Sequence, residues 1–575
     1  MMKKSKILPL LFCLSFATQA SAQSNICSTQ LELGGGLGSA NPWTVGFKGE
    51  YGSRLKLMPM LHVNSINRHS SGETEDMNYT FTGIMPLSQN AGSAFQSHGQ
   101  RHSYGYGLDY GLSARYLLDK HSTLIASVRG NVLHTDNEGN LYEQAFAAGQ
   151  LLTPYNQVSS MLDGYTHNHS MEVTAGYRYA APKPYAIHEG FGLDYSYSRA
   201  AEDLSSKQTI MAAGSAPGIT PFSDFSHSDL HMDGLSQKHR VQGTWMGHAS
   251  TVRLEMAAFY ENRLLTSQDR QHFEGLNNPT RGLASYDEHF SHRYSMGGLY
   301  AQAGTKVGPV ALRARLEYDY TSMEGHHLND LLPMGSAEWE VNKNNKLAVN
   351  YVRRLVRPTL DLLNPAHIST TYTCNYGEKD LIGMHINNLT LGHTLRLNKL
   401  TLNSTLLHIF VNDGFNALWM ERAGIRNYTW GNEGKRRAWS LTEKATVTPV
   451  EGTTINAQAS AIWDKRIAEA IHMANEHWGF GAQLGVEQRV SKGTVLTAQG
   501  HFAEGNTVDL YSHQGRSYGA GASVRQTLGK GLQLSLTYDY NQYAKLKITQ
   551  GAYTGTLYNR LAKKHAATLN LTYKF

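Results

Sequence analysis

Long apolar runs are what this chain most conspicuously lacks. Past residue 22 no stretch approaches the roughly 20 consecutive apolar residues that a helix needs to cross a bilayer, and mean hydropathy is −0.41. Membrane-spanning helices are therefore excluded, though alternating strands can hide membrane affinity that averaging conceals. Proline is scarce, at 15 in 575 residues. Cysteine is scarcer still: of three, Cys13 lies in the N-terminal leader, leaving Cys27 and Cys374. Those two are expected at opposite ends of the strands, so no bridge is expected between them. Excess charge is small. The net value of +6 falls to 6 − 3 = +3 once Lys3, Lys4 and Lys6 depart with the leader, which leaves no case for a nucleic-acid partner.

The ends of the chain carry the positive evidence. Lys3, Lys4 and Lys6 precede an apolar run from Ile7 to Ala17, and Ala20-Ser21-Ala22 follows. That is the charge, hydrophobic and cleavage pattern of a secretory signal peptide over residues 1–22. Cys13 follows the bulky Phe12, so lipidation is not expected. At the other end, Ala567, Leu569, Leu571, Tyr573 and Phe575 fall on one face of an alternating strand, and Thr568, Asn570, Thr572 and Lys574 fall on the other. A period of two, apolar then polar, suits a strand between lipid and an aqueous lumen. Leu569, Leu571, Tyr573 and the terminal Phe575 resemble the signal by which outer-membrane barrels reach their assembly machinery. Abundant Gly (55) and Tyr (32) fit strand corners and interfacial aromatic girdles.

Tight reversals divide the rest. Asn398-Lys399, Ser491-Lys492-Gly493 and Gly529-Lys530-Gly531 each separate alternating segments. Similar turns fall at Gly52-Ser53, Asp119-Lys120, Pro182-Lys183-Pro184, Gly247-His248, Gly308-Pro309, Lys343-Asn344-Asn345 and Pro449–Gly452. Gly, Asn and Pro satisfy the dihedrals a reversal demands. Ten periplasmic turns, with both termini on one side, imply 22 strands. The expected fold is all-β: a transmembrane antiparallel up-and-down barrel occupying residues 23–575, with long outer loops near 64–103, 134–170, 198–239 and 262–295.

The middle of the chain resembles the outer membrane protein β-barrel family, a branch of the TonB-dependent receptor superfamily. The match is sharpest at Tyr351–Pro365, where Arg353-Arg354, Arg357-Pro358 and Leu363-Asn364-Pro365 look like the family's RR–RP–LNP pattern. Leu331-Leu332-Pro333, the segment Tyr106–Leu124 with its turn Asp119-Lys120-His121-Ser122-Thr123-Leu124, which looks like the family's D-K-x-T-L turn, and Val310–Thr321 are similar to other family segments. The resemblance implies an outer-membrane barrel that moves a small nutrient or oligomer. Family members place a plug of over a hundred residues before the barrel; here only Gln23 to Ser28 precede the alternation. A plug is thus expected to be absent or supplied by a separate plug or lipoprotein partner, and a passive porin or a surface adhesion scaffold are the rival readings. The motif residues are expected to be structural, fixing a loop's path through Pro358 and Pro365 while the arginines pair near the lumen rim.

No catalytic set, cofactor or metal site is expected. Arg313, Arg315, Glu317 and Asp319 alternate inward on one strand and are expected to pair along the wall. Histidine is plentiful, at 27, and His98, His102, His167, His169, His227, His231, His289, His292, His326 and His327 are expected in outer loops. Imidazole ligates zinc, copper and haem iron, but no cysteine or carboxylate near them completes a set. Solvated loop histidines are the plainer reading.

Overall fold

The computed structural model describes residues 26–574 except 39–42, 80–92, 147–153, 182–187, 217–218, 275–284, 324–325, 366–367, 370–372, 423–424, 470–471, 543–544, 549–552, 562–563 and the single residues 376, 509, 511 and 530. The leader, the Pro182-Lys183-Pro184 turn and Phe575 lie outside the described residues. Among the described residues 27 strands join into one sheet, and 22 of them build a closed antiparallel wall. The remaining five are loop-borne: Ile368–Ser369, Thr373–Asn375, Ser512–Gln514, Lys545–Ile548 and Tyr553–Leu561. Closure comes where the first strand, Ile26–Gly38, pairs with the last, His565–Lys574, from Gln30 opposite Lys574 to Gly38 opposite Ala566. A wall without edges leaves no backbone group unpaired toward lipid.

Alternation sets the two faces. On Val310–Met323 the side chains of Leu312, Leu316, Tyr318 and Tyr320 are exposed on the outer surface, and Arg313, Arg315, Glu317 and Asp319 turn into the lumen. On the last strand Leu569 and Tyr573 are exposed outward. Short reversals join the strands at the periplasmic end. Gly308, Gly452 and Gly531 take the left-handed φ values of 56°, 81° and 77° that these turns demand. The turn expected at Gly247-His248 falls instead at Ser250-Thr251: Gly247 and His248 remain in the ladder opposite Leu254 and Arg253. Ser250 there takes φ 58° without being glycine, so the local sequence gave a misleading cue. The Lys343-Asn344-Asn345 turn begins earlier, at Val341, because the Asn342 carbonyl Oδ1 accepts the backbone N–H groups of Asn344 and Asn345 at 2.9 Å each. Cys27 lies in the first strand near the periplasmic end. Cys374 lies in the outer strand Thr373–Asn375, so the two stand at opposite ends of the wall.

The outer loops need correction. Leu55–Tyr79, Ser93–Leu117, Ser122–Phe146, Pro154–Ala180, Gly190–Ala216, Ile219–Ala249, Val252–Glu274 and Tyr286–Val307 continue as paired strands of 22 to 31 residues through the segments expected to be loops. A strand of that kind runs roughly 80 Å at about 3.3 Å per residue, whereas about ten residues cross the membrane. Beyond the bilayer both faces are wet, so the apolar–polar alternation fades while the hydrogen-bond ladder goes on. The pattern that reveals a strand in lipid is silent there. The first hairpin, Ile26–Gly38 and Trp43–Tyr51, is short. Above it the segment Tyr553–Leu561 pairs with the top of Leu55–Tyr79, and Lys545–Ile548 bridges from it to Ser512–Gln514. The last outer loop therefore carries the raised wall over the first hairpin.

Candidate functional site in the lumen

The chain enters its own lumen after the strand Asn345–Val356. Arg357 donates to Asp319 Oδ2 at 3.3 Å and to Thr321 Oγ1 at 2.9 Å, both inward-facing. Pro358 is buried, and the Thr359 carbonyl accepts the N–H groups of Leu362 and Leu363 as a single helical turn forms over Leu360–Leu363. Leu363 and Leu381, each 1% exposed, pack among Phe259, Leu265, Phe290, Tyr294, Met296 and Met323 from three adjacent strands. Next to them Asn364 Nδ2 donates to Asp269 Oδ2 at 2.7 Å, and Ser267 Oγ donates to the same buried carboxylate. A carboxylate taken out of water needs such donors, because burying it unpaired is costly. Pro365 closes the motif, half-buried. The arginines divide. Arg353 and Arg354 are neighbours on a strand and so point to opposite faces, Arg353 outward and Arg354 inward, while Arg357 meets the lumen carboxylate. The common pairing at the rim read from the sequence is corrected on this ground.

Further clamps brace the same region. His385 Nε2 lies 2.7 Å from Asp330 Oδ1 and its Nδ1 2.7 Å from Asp413 Oδ2, linking three strands. Glu261, buried, sits between Arg240 at 3.3 Å and Arg263 at 3.0 Å. Asp464 receives two hydrogen bonds from Arg436 at 3.0 and 2.8 Å, with Arg466 at 3.6 Å. Bidentate arginine contacts of this kind fix orientation as well as charge. On the strand of the inward set, Arg315 pairs with Glu317, and Asp319 turns instead to Arg357 on the entering segment.

A pocket of about 730 Å³ borders the first eight strands, from Gln30 to Ser236. Its inward side chains include Glu32, Lys48, His62, Asp109, Arg129 and Glu172, drawn from the first six strands. His62 Nδ1 stands 3.5 Å from Asp109 Oδ2. Mixed charge around an open volume suits a polar or charged solute. Neither the pocket nor the Asn364–Asp269 contact was readable from spacing, since each joins strands far apart in sequence. One signal was present: Ser267, Asp269 and Gln271 alternate as polar inward residues beside the apolar Phe259 and Leu265.

The histidines are not loop residues. All ten lie on strands, most of them on the outer surface of the raised wall, while His292 is buried in the lumen against Phe290. The expectation that no carboxylate completes a set with them is also corrected: Asp203 and Asp233, a directly opposed pair on neighbouring strands, flank His231, with ligand atoms all within 4.8 Å of one another. Asp233 is exposed there, and Asp203 and His231 are half-buried.

The family model for the outer membrane protein beta-barrel family matches residues 188–573. The chain belongs to that family. As a member it is a multi-pass barrel of the Gram-negative outer membrane. No curated protein matches the sequence. Solved structures share the fold at low identity. The ferric enterobactin receptor of Pseudomonas aeruginosa, as a point mutant, has 12% identity and a TM-score of 0.58, covering 95% of this chain and 80% of that one. The copper transporter OprC has 10% identity and a TM-score of 0.60, covering 96% and 80%. The FrpB iron transporter of Neisseria meningitidis has 9% identity and a TM-score of 0.58, covering 96% and 82%. At these identities the likeness shows a shared barrel fold.

Proposed function

We infer that this barrel carries a small nutrient or oligomer across the outer membrane through its lumen, with a plug absent or contributed by a separate plug or lipoprotein partner. The observation that carries the reading is the pocket of about 730 Å³, bordered by charges of both signs, in a lumen that the anchored turn Arg357–Pro365 also enters. Its charged lining favours a polar cargo. The neighbours in fold, named for ferric enterobactin, copper and iron, support a receptor-type transporter. Strains lacking the inner-membrane energy coupler provide the test. Loss of solute uptake supports the energised reading; uptake that survives, together with a large steady current from the purified chain in a planar bilayer, supports a passive porin constricted where Arg357–Pro365 enters the lumen. The same reading includes export and assembly: residues 1–22 act as the signal peptide, and Leu569, Leu571, Tyr573 and Phe575 as the signal to the assembly machinery. Deletion of Phe575 should lower the amount of folded barrel in the outer membrane several-fold, measured by heat-modifiable migration, with little change in synthesis.

A further inference from the structure

Histidines recur on the outer surface at one level of the wall, each against an aromatic residue. His239 Nδ1 lies 2.9 Å from the Tyr195 hydroxyl, and its ring packs on Tyr197 with centroids 4.7 Å apart. His327 Nδ1 lies 3.2 Å from the Tyr320 hydroxyl with the rings nearly parallel. His565 Nδ1 lies 2.6 Å from the Tyr538 hydroxyl and its ring 5.1 Å from that of Tyr540. His134 lies against Tyr106 and Tyr165, and His408 stacks on Trp439 at 4.1 Å. These five strands are spread around the barrel. In each, the histidine stands roughly ten residues from the periplasmic end of its strand, about one membrane crossing.

Tyrosine and tryptophan mark the boundary between lipid tails and headgroups. A histidine at that boundary meets headgroups. Where a phenol donates its proton to Nδ1, the neutral imidazole keeps its proton on Nε2, a donor directed away from the tyrosine. His239, His327 and His565 are exposed on the surface where such a donor would be used. One pleat further from the membrane than His239, Arg199 and Arg293 lie exposed in a common row with Gln237 and Leu264. Donors and positive charge at this height complement an anionic headgroup.

We propose that these tyrosine-oriented histidines form a belt that hydrogen-bonds the phosphate groups of the phosphorylated glycolipid in the outer leaflet, holding an ordered lipid ring around the barrel. The inference is independent of what passes through the lumen. The full-length mature barrel is reconstituted at neutral pH into nanodiscs containing phosphorylated lipid A, or the same lipid with its phosphates removed, and retained lipid is counted by native mass spectrometry. The wild-type protein should prefer the phosphorylated form roughly threefold to tenfold, the scale of one neutral hydrogen bond per site. The triple variant His239→Ala, His327→Ala, His565→Ala should lose the preference, and the triple glutamine variant, which restores an N–H donor, should recover part of it. Tyr195→Phe with Tyr320→Phe and Tyr538→Phe should weaken it while keeping the aromatic girdle. Heat-modifiable migration shows that each variant is folded. Equal retention of both lipids by the wild type, or an unchanged preference in the folded alanine variant, overturns the proposal. Complete displacement of the lipid by millimolar inorganic phosphate also overturns it, since that would mark a site for the free anion.

Discussion

At the scale of single residues, two carboxylates show how local chemistry holds a barrel that has little conventional core. Asp119 in a periplasmic turn accepts the backbone N–H of His121 at 2.7 Å and that of Ser122 at 2.8 Å, an Asx-type turn. These hydrogen bonds, that from His121 first, hold its carboxyl below the usual range. A lowered folded-state value means that the stabilisation is complete above the unfolded-state value and fades as pH falls through the folded one. Asp119→Asn should therefore flatten the acid limb of unfolding below about pH 4, read by tryptophan fluorescence of the refolded barrel, by removing at neutrality the increment that the wild type loses only in acid. Asp269 is the buried counterpart. Asn364→Leu removes its amide donor and should cost about 1–3 kcal/mol, seen as a lower unfolding midpoint. It should also loosen Arg357–Pro365, seen as faster proteolysis there. An unaltered midpoint and an unaltered cleavage pattern would show that the contact does not anchor the segment.

At the scale of elements, the strands crossing lipid were legible and those above it were not. Val310–Met323 could be read residue by residue because lipid and water impose opposite demands on adjacent side chains. His227 and His231 sit on a strand just as regular, yet with water on both sides nothing in their pattern separates strand from loop. Turns were legible where glycine or asparagine supplies the required dihedral. The reversal at Ser250 was missed because an ordinary residue takes the left-handed conformation. Gly531 illustrates the stricter case. At φ 77° a Cβ there would lie 2.0 Å from the Lys574 carbonyl oxygen on the closing strand. Gly531→Val should therefore destabilise the closing seam by about 1–3 kcal/mol and reduce the yield of heat-modifiable barrel on refolding, whereas Gly308→Ala, with open space around its Cβ, should cost less.

At the scale of the whole molecule, closure and strand number follow from summing local alternations and turns, and they could be counted in advance. The lumen could not. Its pocket draws on strands from Gln30 to Ser236, and the contacts of the anchored segment join residues from Phe259 to Leu381, so the relevant pairings emerge only when the wall has closed. The RR–RP–LNP residues were visible as a motif, but a period of two sends Arg353 and Arg354 to opposite faces, which a motif alone does not convey. Barrel, lumen and passage all depend on a wall whose residues face lipid and water by turns. Cysteine accessibility along one strand tests this most directly. In intact outer membranes, Arg313→Cys and Glu317→Cys should react with a small membrane-impermeant thiol reagent, whereas Leu312→Cys and Leu316→Cys should stay shielded by lipid. Labelling that is uniform along the strand, or strongest at positions 312 and 316, would contradict the barrel and everything inferred about passage through it.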